Sequence, residues 1–437
     1  MILYSTANHQ NKVSFVEAVQ NAFPQDKGLY FPENIPKCPP EILARFPELS
    51  FSEIALEISR LWLNDEVPAS VLEEICHSAF DFPVPLVPLG SGTRVMELFQ
   101  GPTMAFKDFG ARFMARLLDW IVRGAKKKIV VLTATSGDTG GAVASGFAGM
   151  EDLEVVILFP EGKVSPLQRK QLTTLGSNIH ALSIQGNFDD CQRMVKEALL
   201  DPDILQAAQF CSANSINIAR LLPQSFYYFY AWSRSKDIHG PLVFSVPSGN
   251  FGNLTGGLFA RAMGLDNIQF IAATNENDSV PEYLRTGEFH PHPSLETLAT
   301  AMDVGHPSNF VRLVEIFKGN LEGMRSVIKG IKVSDTEIKE TIIQVFDEYH
   351  YVLDPHTAVG FHALEQYRKE EGRRIPGFIL GTAHPAKFPE TVEKELGTSI
   401  PLPDQLSDLL GKEEHFDRLT TNFHPLKQYL LEKVLNL

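Results

Sequence analysis

The residue from which chemistry can first be argued is Lys107. It stands between Phe106 and Asp108-Phe109, at the start of a helical pattern. Phe109, Phe113, Leu117, Trp120 and Ile121 recur at three- and four-residue spacing and are expected to share one face of a helix. Arg112, Arg116, Asp119 and Arg123 mark the opposite face, expected in water. An amine held in an apolar niche loses hydration, which disfavours its charged form. The neutral amine is a nucleophile that condenses with a carbonyl to give a Schiff base. Taken alone, the stretch favours a plainer reading, a lysine with a packed stem and a solvated head.

Two loops alter that balance. Ser136-Gly137-Asp138-Thr139-Gly140-Gly141 and Ser248-Gly249-Asn250-Phe251-Gly252-Asn253 each follow a strand-like run and precede a helical one. Such a turn presents backbone N–H groups at a helix start, where phosphate or carboxylate binds. Glycine lets the backbone come close to the anion. Neither loop has the spacing of a nucleotide-binding P-loop or of G-x-G-x-x-G. Each by itself reads as an ordinary strand-to-helix turn. With the lysine they supply an amine for an aldehyde and a cradle for that aldehyde's phosphate, which is what pyridoxal phosphate requires.

Asn214, Ser215 and Arg220 offer an amide, a hydroxyl and a guanidinium within two turns. Ser215 and Arg220 suit a second phosphate as a clamp; a capped helix start with a surface arginine fits equally. His384, beside Pro385, reads as a structural hydrogen-bonder more readily than as a ligand or acid. No stretch has metal-ligand spacing.

The elements that must position these residues alternate. Strand-like runs at 129–135, 155–159 and 179–184 interleave with helical ones at 142–150, from 165 to about 176, and at 188–200. The pattern resumes with strands at 242–246 and 268–273, helices at 254–263, 336–349 and 358–369, and a strand at 378–380. Repeated strand–helix units predict parallel sheets covered by helices. The expected fold class is α/β, two open parallel-sheet domains with a cleft between them, plus an N-terminal segment. The expected division is an N-terminal domain over 1–90, a large domain over 91–128 and 215–437, and a small mobile domain over 129–214. The stretch at 411–418 reads as solvated surface, and no internal repeat or low-complexity tract is present.

Composition removes several function classes. A net charge of -14 over 437 residues argues against a nucleic-acid binder and against an anionic membrane surface. Cys38, Cys76, Cys191 and Cys211 are scattered, which fits a reducing compartment rather than a disulfide or zinc framework. The first fifteen residues lack the apolar run of a signal peptide, and no stretch is long and apolar enough to span a bilayer. A cytoplasmic protein is expected.

PTMAFKDFGARF, LTATSGDTGGA, SANSINIARL, VPSGNFGNLTGG, AMDVGHPSNF and LGTAHPAKFPE, in this order, resemble threonine synthases of the bacterial and fungal branch across nearly the whole chain, GLYFP in the N-terminal segment included. The resemblance implies the tryptophan-synthase-β-like (type II) fold of pyridoxal-phosphate enzymes. It implies that Lys107 carries pyridoxal 5'-phosphate with Phe106 packed near the ring. Gly249, Asn250, Phe251 and Asn253 would bind the cofactor phosphate, and Thr382 would face the pyridine nitrogen. Ser136, Asp138 and Thr139 would take the substrate carboxylate; Asn214, Ser215 and Arg220 would take the substrate phosphate.

The implied reaction is O-phospho-L-homoserine plus water giving L-threonine plus phosphate, the last step of threonine biosynthesis. Lys107 would move protons at several carbons, which calls for a pKa brought near working pH by burial. The nearest alternative is a phospho-lyase that releases 2-oxobutyrate from the same substrate. A serine or threonine dehydratase is disfavoured by the phosphate-shaped set at 214–220, and a non-catalytic homologue by the intact Lys107. The resemblance favours a monomer over a dimer.

Overall fold

The computed structural model describes residues 1–90, 92–123, 129–235 and 240–437. Contacts divide the chain into two compact units. One comprises Met1–Pro32, Lys107–Arg220 and Leu402–Leu437; the other comprises Glu33–Phe106 and Leu221–Pro401.

The first unit is built on a five-stranded, wholly parallel sheet. Its order is Asp417–Leu419, Ile179–Ile184, Leu153–Pro160, Ile129–Ala134, Gln209–Ser212. Every residue of Ile129–Ala134 is buried, as a strand covered on both faces requires. On one face Val130, Leu132, Val156, Leu158 and Leu182 pack with Cys191, Met194 and Val195 of the helix Phe188–Ala198. Leu426, Leu430 and Val434 close the same core. A small antiparallel sheet joins Asn8–Ser14, Ile2–Ser5 and Tyr30–Pro32.

The second unit carries a six-stranded sheet. Its order is Ile328–Lys332, Ile268–Thr274, Leu242–Pro247, Gly377–Gly381, Thr93–Glu97, Leu86–Pro88. All neighbours are parallel except the last pair. Val243, Ile271 and Ile379 pack against Ile338, Ile342 and Val345 of Asp335–Tyr349, and against Ala358 and Val359 of Pro355–Glu371. The expected α/β class with parallel sheets is what the chain forms.

Two expectations meet a different structure. The segment expected as one N-terminal domain over 1–90 is split by its contacts at Pro32. The reason is local: the helix Phe15–Asn21 packs against Gln209–Ser212, and Asn217 Nδ2 donates to Val19 O at 2.9 Å. The charged stretch at 411–418 is exposed or half-buried throughout, as expected of solvated surface; within it Glu414 accepts from Arg169 Nε at 2.8 Å, and its end enters the short strand Asp417–Leu419. The helix Lys107–Val122 does not keep its whole polar face wet. Arg112 is buried, as are Gly110, Ala111 and Ala115, because the helix packs against Asp138–Phe147 and Phe15–Asn21. Trp120 and Ile121 are only half-buried.

All four cysteines are free and buried, and burial pushes their thiols up to about 12. A thiol so raised is not a nucleophile at neutral pH. Among the described residues no helix is long and apolar enough to cross a membrane. No cluster of His, Cys, Asp and Glu among them could hold a metal ion.

Candidate functional site

Lys107 is the first residue of its helix and half-buried. Its Nζ donates to Thr139 Oγ1 at 2.9 Å. That contact brings two sequence-predicted features, the lysine and the loop at 136–141, to one place. Asp108 in the first turn is fully buried and suits the positive end of the helix.

The loop owes its shape to a residue that motif reading passed over. Thr135 Oγ1 accepts from Gly137 N at 2.9 Å and from Gly140 N at 2.8 Å, and donates to Gly137 O at 3.0 Å. Gly137 has φ 144°, open to glycine, and a Cβ there would lie 2.6 Å from the Gln168 side chain. Gln168 in turn donates from Nε2 to Asp138 Oδ1 at 2.9 Å. Asp138 is buried and held, while Ser136 and Thr139 are partly open.

Asn214, Ser215 and Arg220 lie in the same unit. The Asn214 amide is engaged with the main chain: Nδ2 donates to Ala134 O at 2.7 Å and Oδ1 accepts from Ala134 N at 3.1 Å. Arg220, read from sequence as a surface arginine or a phosphate clamp, is 3% exposed. Its Nη1 donates to Ala213 O. A Cβ on Gly110 would lie 2.6 Å from Arg220 O and 2.9 Å from Arg220 Nε, so the arginine lies flat on the Lys107 helix. Burial brings its guanidinium down to about 10, against the opposing pull of Asp108. Ser215 is half-buried.

The second unit holds the loop at 248–253. Phe251 adopts the left-handed conformation at φ 58° and opens the helix Gly252–Ala262. The side-chain amides tie the loop to its surroundings. Asn253 Nδ2 donates to Pro247 O at 2.7 Å, and Asn250 Oδ1 accepts from Ser308 N at 2.5 Å. Backbone N–H groups at the helix start are therefore the donors this loop offers an anion. A Cβ on Gly249 would lie 2.7 Å from Met302 Cα, so the position accepts only glycine without moving backbone. A bare-backbone turn closing onto a helix N-terminus fits a phosphate monoester such as that of pyridoxal phosphate.

Behind this loop, Ala301 N donates to His356 Nε2 at 3.1 Å, and His356 Nδ1 pairs with Asp354 Oδ1 at 2.7 Å. Since Nε2 accepts, Nδ1 carries the proton. Asn309 Nδ2 donates to Asn250 O at 3.0 Å. Asp354, His356 and Arg312 carry no motif of their own; AMDVGHPSNF ends two residues before the last.

Phe106 and Thr382 are joined directly, Phe106 N donating to Thr382 O at 2.9 Å. Ala105 and Ala383 form an antiparallel bridge, and Lys387 Nζ donates to Thr103 O at 2.9 Å. His384 acts as the structural hydrogen-bonder expected: its Nδ1 accepts from Ala386 N at 3.2 Å. Burial lowers its pKa, so it is neutral at pH 7.

Comparison with known proteins gives three family matches. Residues 87–377 match the pyridoxal-phosphate dependent enzyme family, residues 3–80 the threonine synthase N terminus, and residues 357–430 the threonine synthase C-terminal region. Threonine synthase of Serratia marcescens is 41% identical over 432 residues, covering 99% of both chains. The crystal structure of threonine synthase from Escherichia coli superposes with a TM-score of 0.93 at 41% identity, covering 99% of this chain and 100% of that one. The pyridoxal-phosphate-bound threonine synthase from Brucella melitensis gives a TM-score of 0.91 at 34% identity, covering 98% of each chain.

Proposed function

The chain belongs to the threonine synthase family of pyridoxal-phosphate-dependent enzymes, and from that premise we propose how its residues convert O-phospho-L-homoserine and water to L-threonine and phosphate. Full-length similarity supports the reaction, and the Lys107–Thr139 contact supports placing the amine beside the loop at 136–141.

When bound, pyridoxal phosphate supplies an electron sink for negative charge developing on the substrate carbons. Lys107 would hold the cofactor through its amine, and that amine would move protons at Cα and Cβ. Thr139 keeps its Nζ in place. Phe106 would pack near the ring and Thr382 would face its nitrogen. Gly249, Asn250, Phe251 and Asn253 hold the cofactor phosphate, chiefly through backbone N–H groups. Ser136, Asp138 and Thr139 receive the substrate carboxylate, with Thr135 and Gln168 fixing their loop. Asn214, Ser215 and Arg220 receive the substrate phosphate. What supports this last role is the guanidinium's place against the Lys107 helix. Its engagement with Ala213 means that the phosphate must compete with a carbonyl for the same donors.

Residues 129–214 are proposed to move as a body during turnover, the protein to act as a monomer, and the reaction to run in the cytoplasm. Light scattering of the purified protein tests the monomer. The reaction is tested by product analysis in oxygen-18 water. Threonine carrying one heavy oxygen at Cβ, together with one equivalent of phosphate, is expected. A mixture dominated by 2-oxobutyrate would replace the synthase reading with a phospho-lyase.

A further inference from the structure

Arg312 is a charged side chain buried without exposure, one of the largest such side chains in the molecule. Its Nη1 donates to Asn309 Oδ1 at 2.8 Å. Asn309 is itself fully buried, and its Nδ2 donates to Asn250 O at 3.0 Å. The residue before it, Ser308, donates its N–H to Asn250 Oδ1 at 2.5 Å. On the other flank, Met302 Cα and Ala301 O fill the space where a side chain on Gly249 would go. Residues 249 and 250 are thus gripped by a single stretch, 301–312, which the sequence reading left without a role.

The order of these bonds has an electrical sense. An amide that receives a hydrogen bond from a cation on its oxygen becomes a stronger donor through its nitrogen. The Asn309 amide passes that polarisation to the Asn250 carbonyl. The Asn250 carbonyl belongs to the same peptide group as the Phe251 N–H, which becomes a better donor in turn. Burying a guanidinium is costly unless something answers its charge. Burial pushes Arg312 down to about 9, which leaves it protonated at neutral pH.

The geometry points to Arg312 as a positioning residue for the cofactor phosphate: through Asn309 it fixes and polarises the Asn250 carbonyl, and with it the Phe251 N–H. This rests on the reading that residues 249–253 hold that phosphate. In this assignment Arg312 acts through Asn309 rather than by contact. It acts on the loop and on the loop's preference for a doubly charged anion.

The test compares pyridoxal phosphate with pyridoxal, which lacks the phosphate, as ligands of the cofactor-stripped full-length protein. Both are followed by absorbance. The variants are Arg312→Met, which removes the charge, and Asn309→Asp, which keeps an acceptor for Arg312 and removes the donor to Asn250. Each should lower the preference for the phosphorylated form roughly tenfold or more, the scale of one hydrogen bond tied to a charge. Pyridoxal affinity should stay at the wild-type level. The phosphorus-31 resonance of the bound cofactor should move in both variants. Equal loss of both ligands would reduce Arg312 to a structural brace and overturn the proposal, as would an unchanged preference. Should Arg312→Met fail to fold, the Asn309→Asp result decides. Gly249→Ala separates the two readings. If it abolishes the preference while the other variants keep it, the loop assignment stands and only the relay falls. If it too keeps the preference, the loop is not the phosphate site and both fall.

Discussion

Lys107 Nζ lies 2.9 Å from Thr139 Oγ1, which ties the start of one helix to the start of the next, Asp138–Phe147. The bond fixes where the amine points. A lysine that must serve several carbons needs such a partner, because proton transfer depends on reach before it depends on pKa.

Thr139→Val removes the acceptor and keeps the shape. We expect kcat/KM to fall by roughly tenfold, the worth of one hydrogen bond to a charged group. Thr139→Ser should recover most of it. Steady-state kinetics with O-phospho-L-homoserine makes the measurement; a Thr139→Val enzyme with wild-type kcat/KM would remove Thr139 from the mechanism.

Gly249→Ala places a methyl 2.7 Å from Met302 Cα, a backbone atom that cannot swing aside. The loop must shift, and cofactor retention should fall about tenfold through loss of aligned N–H donors. Absorbance after dialysis against cofactor-free buffer reads it. Retention equal to the wild type would show that the loop does not hold the cofactor.

Arg220 and Asp108 are both buried in the same unit, and the carboxylate is the charge that favours the guanidinium. Arg220→Ala removes the donor to Ala213 O and a charge felt by Asp108, and should destabilise the fold by roughly 1–3 kcal/mol in urea unfolding. Adding Asp108→Asn should return part of that loss. If the double variant is no more stable than Arg220→Ala, the two side chains are not coupled, and a role for Arg220 in phosphate recognition alone gains weight.

His384 gives a pH dependence of known sign. Burial holds its folded pKa below the ordinary value of 6.5, so the unfolded chain binds the proton more readily. Its contribution to stability is present above 6.5 and is lost as pH falls through the folded pKa. His384→Asn should flatten the acid side of the stability curve relative to the wild type. Parallel curves for the two proteins between neutral and mildly acidic pH would contradict this.

Much of the fold was legible because buried parallel strands leave a strong signal. The run at 179–184 is the observed strand Ile179–Ile184, and those at 129–135 and 268–273 differ from the observed strands by single residues. Ser165-Pro166 does start a helix, Ser165 accepting from Gln168 N in a capping box. What was illegible is pairing over long sequence separation. Asp417–Leu419 becomes a strand only because Ile179–Ile184 offers it an edge, and its own three residues carry no apolar pattern. Arg112 reads as solvent-facing until another helix covers it.

The candidate site divides in the same way. Lys107 and the two glycine loops announce themselves by local composition. Thr135, Gln168, Asn309, Arg312 and the Asp354–His356 pair do not, since each is a common residue type whose meaning lies in what it touches. Asn214 and Asn253 show the converse. Their types suggest anion binding, and the backbone bonds that their side chains already make at Ala134 and Pro247 leave no mark in the sequence.

The assignment on which the others depend is that of Lys107, and reduction with borohydride addresses it directly. The holoenzyme is reduced, digested and mapped by mass spectrometry, alongside Lys107→Ala treated in the same way. A pyridoxyl group on Lys107 in the wild type, and no such group in the variant, is the expected result. A pyridoxyl group on any other lysine of the wild-type protein, or one that persists in Lys107→Ala at the wild-type level, would contradict it.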